Sequence, residues 1–290
     1  MADEHKDIDA VTGTATTGHE WDGIRELNTP LPRWWLWSFY ITIVWAIGYW
    51  VVYPAWPLLT TSTQGITGWH ARSAIITDLA ELKVQRGPLM DQLASASLPE
   101  IADSPQLLDF ARAQGRVAFA DNCAPCHGAG GGGAKGYANL NDDDWLWGGK
   151  IADIEQTIRF GVRSTHDKGR AGNMPPFTGV LKANEVSAVA DFTRSLSGLP
   201  AEKGVDLALG TKLFADNCAV CHGEAGKGNR ELGAPNLTDK IWLYASDKAT
   251  IERGILQGRG AVMPLWDGRL SEPVIKALAV YVYTFGGGEK

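Results

Sequence analysis

The sequence predicts a mostly α chain: one N-terminal transmembrane helix followed by two tandem copies of a small helical domain. Three observations carry this. Twenty consecutive residues from Trp34 to Tyr53 hold no charge. The string FADNCAPCHG beginning at Phe119 returns as FADNCAVCHG at Phe214, 95 residues later with one mismatch. After each copy comes an amphipathic stretch of helical period. At 290 residues the chain exceeds the usual ~100–200 residues of one domain, so two small domains with extra segments fit its length.

Residues 1–33 form a polar N-terminal segment with 3 Lys/Arg against 7 Asp/Glu. The uncharged run 34–53, at about 1.5 Å per residue, matches a hydrocarbon core about 30 Å thick. Trp and Tyr at both ends suit the interfacial belts, and Pro30, Pro32, Pro54 and Pro57 mark entry and exit. The long acidic stretch ahead of the run and the lack of a small-residue cleavage site after it disfavour a cleaved signal. Arg25 and Arg33 precede the span and the next basic residue is Arg72, which predicts a cytoplasmic N-terminus. Residues 54–105 form a linker with one helix, Ala71 to Gln85, ended by Gly87 and Pro88. Its Ile75, Ile76, Leu79 and Leu82 share a face that either packs on this chain or docks a partner.

Two repeats follow, expected at 106–199 and 200–290. They carry balanced charge, 10 against 10 over 105–200 and 11 against 11 over 201–290, so the formal net charge of -6 resides elsewhere and nucleic acid is not an expected partner. All four cysteines sit in Cys123-Ala-Pro-Cys126-His127 and Cys218-Ala-Val-Cys221-His222, the C-x-x-C-H attachment motif of haem c. On a helical turn i, i+3 and i+4 share a face, so two thiols reach the porphyrin edge while the imidazole reaches iron. Two covalently bound haems are therefore expected. Zinc-ribbon pairs stand about 15–20 residues apart, whereas Cys126 and Cys218 are 92 apart. Neither a redox dithiol nor a disulfide explains the two histidines.

Iron held by histidine needs a sixth ligand or an open site. Met174 and Met263 stand one per repeat, 47 and 41 residues after His127 and His222, each followed by Pro. Proline disfavours helix at the residue before it, so both belong to extended loops that can lay a thioether on a haem face. His166 is an alternative ligand, read as a solvated loop residue among Arg163, Asp167, Lys168 and Arg170. Gly115 and Phe119 stand before the first motif as Gly210 and Phe214 do before the second, Gly permitting close helix contact. After each Met a helix is expected, with stripes Val186, Val189, Thr193, Leu196 and Val274, Leu278, Tyr281, Val282, Phe285, the second capped by Ser271. Whether each Met serves its own repeat's haem or the two are exchanged is open from sequence.

Residues 105–290 resemble two class I cytochrome c domains. The segments WDGIRELNTPLPRWWLWSFYITIVWAIGYWVVYPAWP, Trp21 to Pro57, and NLNDDDWLWGG, Asn139 to Gly149, resemble subunit III of cbb3-type cytochrome c oxidases, the CcoP or FixP family. That resemblance implies a single-pass protein of the bacterial inner membrane with periplasmic haem domains. It implies electron transfer from a soluble cytochrome c or another periplasmic donor toward a monohaem cytochrome subunit and a catalytic haem-copper subunit, with membrane lipid around the anchor. It carries attachment to Cys123, Cys126, Cys218 and Cys221, and iron ligation to His127, Met174, His222 and Met263. No residue is expected to be catalytic. The competing readings are a dihaem subunit of another respiratory dehydrogenase, which would use the same chemistry, and a dihaem peroxidase, which would need an open iron that two Met-Pro loops argue against.

Overall fold

The computed structural model describes residues 7–289. The chain divides between Lys83 and Val84 into two units. In the first, β1 (Thr16–Trp21) and β2 (Ile24–Leu27) pair antiparallel with Trp21 opposite Ile24. Their turn is Asp22-Gly23, with φ of 48° and 84°. Positive φ at both central residues is the geometry of a type I′ hairpin turn, for which Asp-Gly is a favoured pair.

Helix α1 (Arg33–Val52) coincides within a residue at each end with the expected span, and none of its side chains is buried by protein. Keeping a large apolar side chain in water costs about 1.5–3 kcal/mol, so transfer of this helix into an apolar surround is favourable, and it is long and apolar enough to cross a membrane. The chain then folds back on the helix end: the amides of Ile66 and Thr67 donate to the carbonyls of Val51 and Val52 at 3.0 and 3.2 Å, satisfying groups a helix terminus leaves open. Gly65, at φ 68°, allows that approach.

Helix α2 (Ala71–Ser95) corrects one expectation: it does not stop at Gly87 and Pro88 but runs through both. An interior proline costs about 3 kcal/mol, and burial of Leu93, 0 % exposed in the core of the second unit, offsets it. The stripe of Ile75, Ile76, Leu79 and Leu82 stays exposed.

The second unit continues with α3 (Leu98–Asp103), α4 (Pro105–Asn122), α5 (Ala124–His127), α6 (Ile151–Phe160), α7 (Ala183–Leu196), α8 (Leu207–Asn217), α9 (Ala219–His222), α10 (Lys248–Gln257) and α11 (Glu272–Tyr283). Ser97 and Glu100 form a reciprocal capping box on α3, and Ser104, Asp206 and Asp247 cap α4, α8 and α10. Ser271 stands at the N-cap of α11, but its hydroxyl makes no capping bond.

Packing partners come from both repeats. Helix α4 packs against α11, which also packs on α6, while α8 packs against α7, which also packs on α10. The two glycines explain how closely. A Cβ on Gly115 would strike the backbone carbonyl of Ala277 and the Tyr281 side chain, and one on Gly210 would strike the carbonyl of Ala188. The aromatic contacts follow the same scheme. Phe119, 1 % exposed, meets Tyr281 and Phe285 edge-on at 5.6 and 5.4 Å, and Phe214 meets Phe192 at 5.1 Å. One core thus joins Ile101, Phe119, Ile158, Ile275 and Leu278, and a second joins Val186, Val189, Ala190 and Ile255.

Candidate haem-binding sites

Each C-x-x-C-H motif begins where a helix ends. The Cys123 amide donates to the Phe119 carbonyl and the Cys218 amide to that of Phe214, both at 2.8 Å, so the first cysteine closes α4 or α8. The chain then makes one further turn, with His127 N–H bonded to Cys123 O at 2.9 Å and His222 N–H to Cys218 O at 3.0 Å. This turn aligns both thiols and the imidazole on one face. The four cysteines are free. Burial first, then the neighbouring cysteine, pushes the Cys123 and Cys218 thiols up to about 11. A redox dithiol works through a depressed thiol, so this environment does not support that reading.

The imidazoles are held alike. Nδ1 of His127 donates to the Ala138 carbonyl at 2.9 Å, and Nδ1 of His222 to the Pro235 carbonyl at 3.1 Å. A carbonyl only accepts, so the proton lies on Nδ1 and Nε2 keeps its lone pair for a metal. Burial also pushes His222 down, against the opposing effect of its bond to Pro235, which favours the neutral ring that metal binding requires. The echo Ala138-Asn139-Leu140 and Pro235-Asn236-Leu237 thus supplies the partners that orient the two histidines.

Sequence reasoning missed the loop that brings those carbonyls into place. Gly128, Gly131 and Gly133 have φ of 78°, 75° and 71°, and Gly223, Gly226 and Gly228 have 77°, 70° and 83°. The amides of Gly133 and Gly228 donate to the carbonyls of His127 and His222 at 2.7 and 2.8 Å, and those of Leu140 and Leu237 to Gly131 and Gly226 at 2.7 Å. The signal was present: these glycines recur at the same 95-residue offset as the motifs.

Met174 and Met263 lie half-buried in extended segments, each paired with backbone of the other repeat. Met174 exchanges backbone hydrogen bonds with Arg259 at 2.9 and 3.1 Å, and Met263 with Val162 at 3.0 Å in both directions. Met174 and Cys218 pack against one core, and Met263 and Cys123 against the other. His166 lies apart from this, its ring 4.6 Å from that of Phe160 and its Nδ1 accepting from the Lys168 amide at 3.0 Å. Among the described residues no group of three or more His, Cys, Asp or Glu is arranged to hold a bare metal ion. The paired thiols, a neutral imidazole with a free Nε2 and a thioether near each motif fit a haem.

Comparison with known families agrees with the motifs and with the anchor. Residues 110–192 and 205–282 match the model of cytochrome c oxidase, cbb3-type, subunit III, and residues 13–60 match that of the N-terminal domain of cytochrome oxidase-cbb3, FixP. The chain belongs to the cbb3-type cytochrome c oxidase subunit III family. It is 58% identical over 288 residues to the cbb3-type cytochrome c oxidase subunit FixP of Bradyrhizobium diazoefficiens, covering 99% of each chain. It is 58% identical to FixP of Azorhizobium caulinodans, covering 98% of this chain and 97% of the relative. To subunit CcoP of Cereibacter sphaeroides it is 47% identical, covering 94% and 95%. Membership of this cytochrome family implies haem c binding and association with other subunits of an oxidase, and α1 is long and apolar enough to cross a membrane.

Proposed function

We propose that this chain is the dihaem electron-transfer subunit of a cbb3-type oxidase, taking electrons from a soluble cytochrome c or another periplasmic donor and passing them toward a monohaem cytochrome subunit and the catalytic haem-copper subunit. One observation carries the reading: two C-x-x-C-H turns, each with its imidazole Nδ1 tied to a carbonyl and Nε2 left free. Cys123 and Cys126 hold one haem c through thioether bonds, and Cys218 and Cys221 hold the other. His127 and His222 would each give an imidazole nitrogen to an iron, and Met174 and Met263 would each give a thioether sulfur. A haem held this way supplies a one-electron iron couple whose potential a methionine ligand raises.

The protein's part is to keep both irons saturated and their ligands fixed, so that electrons pass without ligand exchange. The tethers from Ala138 and Pro235 stop the imidazoles from turning. With both irons so held, the chain would pass electrons and leave oxygen reduction to its partner. Helix α1 crosses the inner membrane with the N-terminus cytoplasmic, and residues after Tyr53 are periplasmic.

The test is a haem stain and intact mass of the full-length, denatured protein purified from its native membrane. Two retained haems per chain, with a haem-copper subunit co-purifying, are expected. Fewer than two, or ready carbon monoxide binding by the reduced native protein, overturns the assignment.

A further inference from the structure

We propose that residues 54–69 form a second membrane attachment, a foot whose Leu58-Leu59 turn and flanking tryptophans lie at the boundary of lipid headgroups and acyl chains beside the end of α1. The partner is the lipid surface itself. The proposal rests on the reading of α1 as a membrane span and goes beyond it.

The uncharged stretch does not stop at Tyr53. It continues for sixteen residues to Trp69, and the first Lys, Arg, Asp or Glu beyond is Arg72. Within it Trp56, Leu58, Leu59, Ile66 and Trp69 are exposed, Leu59 fully and Ile66 to 78 %. Leu59 stands at the tip of a reversal: Pro57 bridges Ser62, and the Leu58 amide donates to the Thr61 carbonyl at 2.7 Å. Turns that face water favour Gly, Pro, Asn, Asp or Ser at their centre. This one offers Leu59-Thr60, with Leu58 before it.

Contacts with α1 set the level of the foot. Trp56 meets Trp50 edge-on at 4.8 Å, Trp69 meets Tyr53 at 6.0 Å, and the amides of Ile66 and Thr67 reach the carbonyls of Val51 and Val52. The foot therefore lies beside the last turn of the span, where Trp and Tyr rings sit at headgroup depth. Irregular backbone can approach an apolar medium only when its polar groups are satisfied. Here they are tied within the foot. The Thr63 amide donates to the Trp56 carbonyl at 2.9 Å, and Thr63 Oγ1 accepts from the amides of Ala55 and Trp56 at 3.3 and 3.1 Å. Thr67 Oγ1 donates to the Val52 carbonyl at 2.9 Å. Lipid is the occupant that these features fit. The patch continues the exposed apolar surface of α1, carries no charge for a protein partner to pair with, and adds the exposed hydroxyls of Thr60 and Thr61, which suit headgroups.

The test places a diazirine-bearing leucine analogue at position 59 of the full-length holoprotein, in nanodiscs of phosphatidylcholine and phosphatidylglycerol and in native membranes. After photolysis, mass spectrometry should find lipid adducts at position 59 in both. The same probe at Val44, inside α1, reports the span. Lipid adducts at 44 but not at 59 overturn the foot and keep the span, whereas none at either position in nanodiscs overturns the span and the foot with it. An adduct at 59 to another protein chain, in place of lipid, in native membranes assigns the patch to a subunit and overturns the proposal. In nanodiscs, Leu59→Cys should also react with a water-soluble maleimide about tenfold more slowly than Lys203→Cys, since each unit by which lost hydration raises a thiol pKa removes about tenfold of its thiolate. Equal rates overturn the foot.

Discussion

Replacing Lys248 by methionine tests the packing that joins the repeats. Asp191 on α7 is 0 % exposed. Its Oδ2 meets Lys248 Nζ on α10 at 2.7 Å, while its Oδ1 meets Arg194 at 3.2 Å and accepts from the Glu202 amide at 3.3 Å. Burial alone would push the Asp191 carboxyl up, but the hydrogen bond from Lys248 leads the effects that outweigh it and leave the group below the ordinary 3.8. Removing one partner of a buried pair costs about 3–5 kcal/mol. Arg194 and Glu202 still serve Oδ1, so the lower end, about 3 kcal/mol, is expected. At 2–4 °C per kcal/mol for a unit of this size, the melting temperature should fall by about 6–12 °C. The sign with pH follows. In the native protein the depressed carboxyl contributes stability above 3.8 that is lost as pH falls through its folded value. In the variant the same carboxyl is raised, so its penalty is full at neutral pH and fades as pH falls toward 3.8. The gap between the two melting curves, followed by circular dichroism and by the sulfur-to-iron band, should narrow in acid. Adding Asp191→Asn should restore most of the loss. A shift under about 2 °C, or one that does not change with pH, would refute this account of the α7–α10 contact.

Phe119→Ala removes a side chain at the centre of the first core, for which about 3–5 kcal/mol is the usual cost; denaturant melts should show it, with the Met263 band lost before the Met174 band. Asp144 is pushed up to about 6 by burial first and then by Asp239 and Asp142, so its charge destabilises the fold increasingly from pH 3.8 up to about 6 and fully above that. Asp144→Asn should therefore raise the melting temperature at pH 8 and change it little at pH 3.5. Cleavage at an engineered protease site at the exposed residues Glu202 to Gly204 should leave both fragments co-eluting with both haems, whereas two separate beads would part.

The local chemistry was legible because it is carried by contiguous residues. A C-x-x-C-H turn needs only five positions, and the uncharged span from Trp34 to Tyr53 needs only length. The stripe of Val186, Val189 and Thr193 is buried, as is that of Leu278 and Val282, because helical period alone selects those faces. What stayed hidden depended on tertiary context. Pro88 reads as a helix end, yet burial of Leu93 beyond it carries α2 onward. The hairpin was missed although Asp22-Gly23 signals it, since its flanking strands are exposed at every position but Thr16 and show no alternation.

The crossed packing, α4 on α11 and α8 on α7, was illegible for a different reason, and the repeat itself supplies it. Gly115 and Gly210 each need a close helix partner, Phe119 and Phe214 each need an aromatic one, and α7 and α11 offer both features equally. Either pairing therefore buries the same residue types, so pattern alone cannot separate them. The choice falls to segments the repeats do not share. Arg159 on α6 binds Glu272 on α11 at 2.6 Å, and Lys248 on α10 binds Asp191 on α7; the aligned partners differ, so these ion pairs have no counterpart in the alternative arrangement. Partly buried charges with fixed partners are costly to leave unpaired, and they discriminate between pairings that apolar packing treats alike. The sequence differences between two nearly identical halves thus specify how the halves interlock.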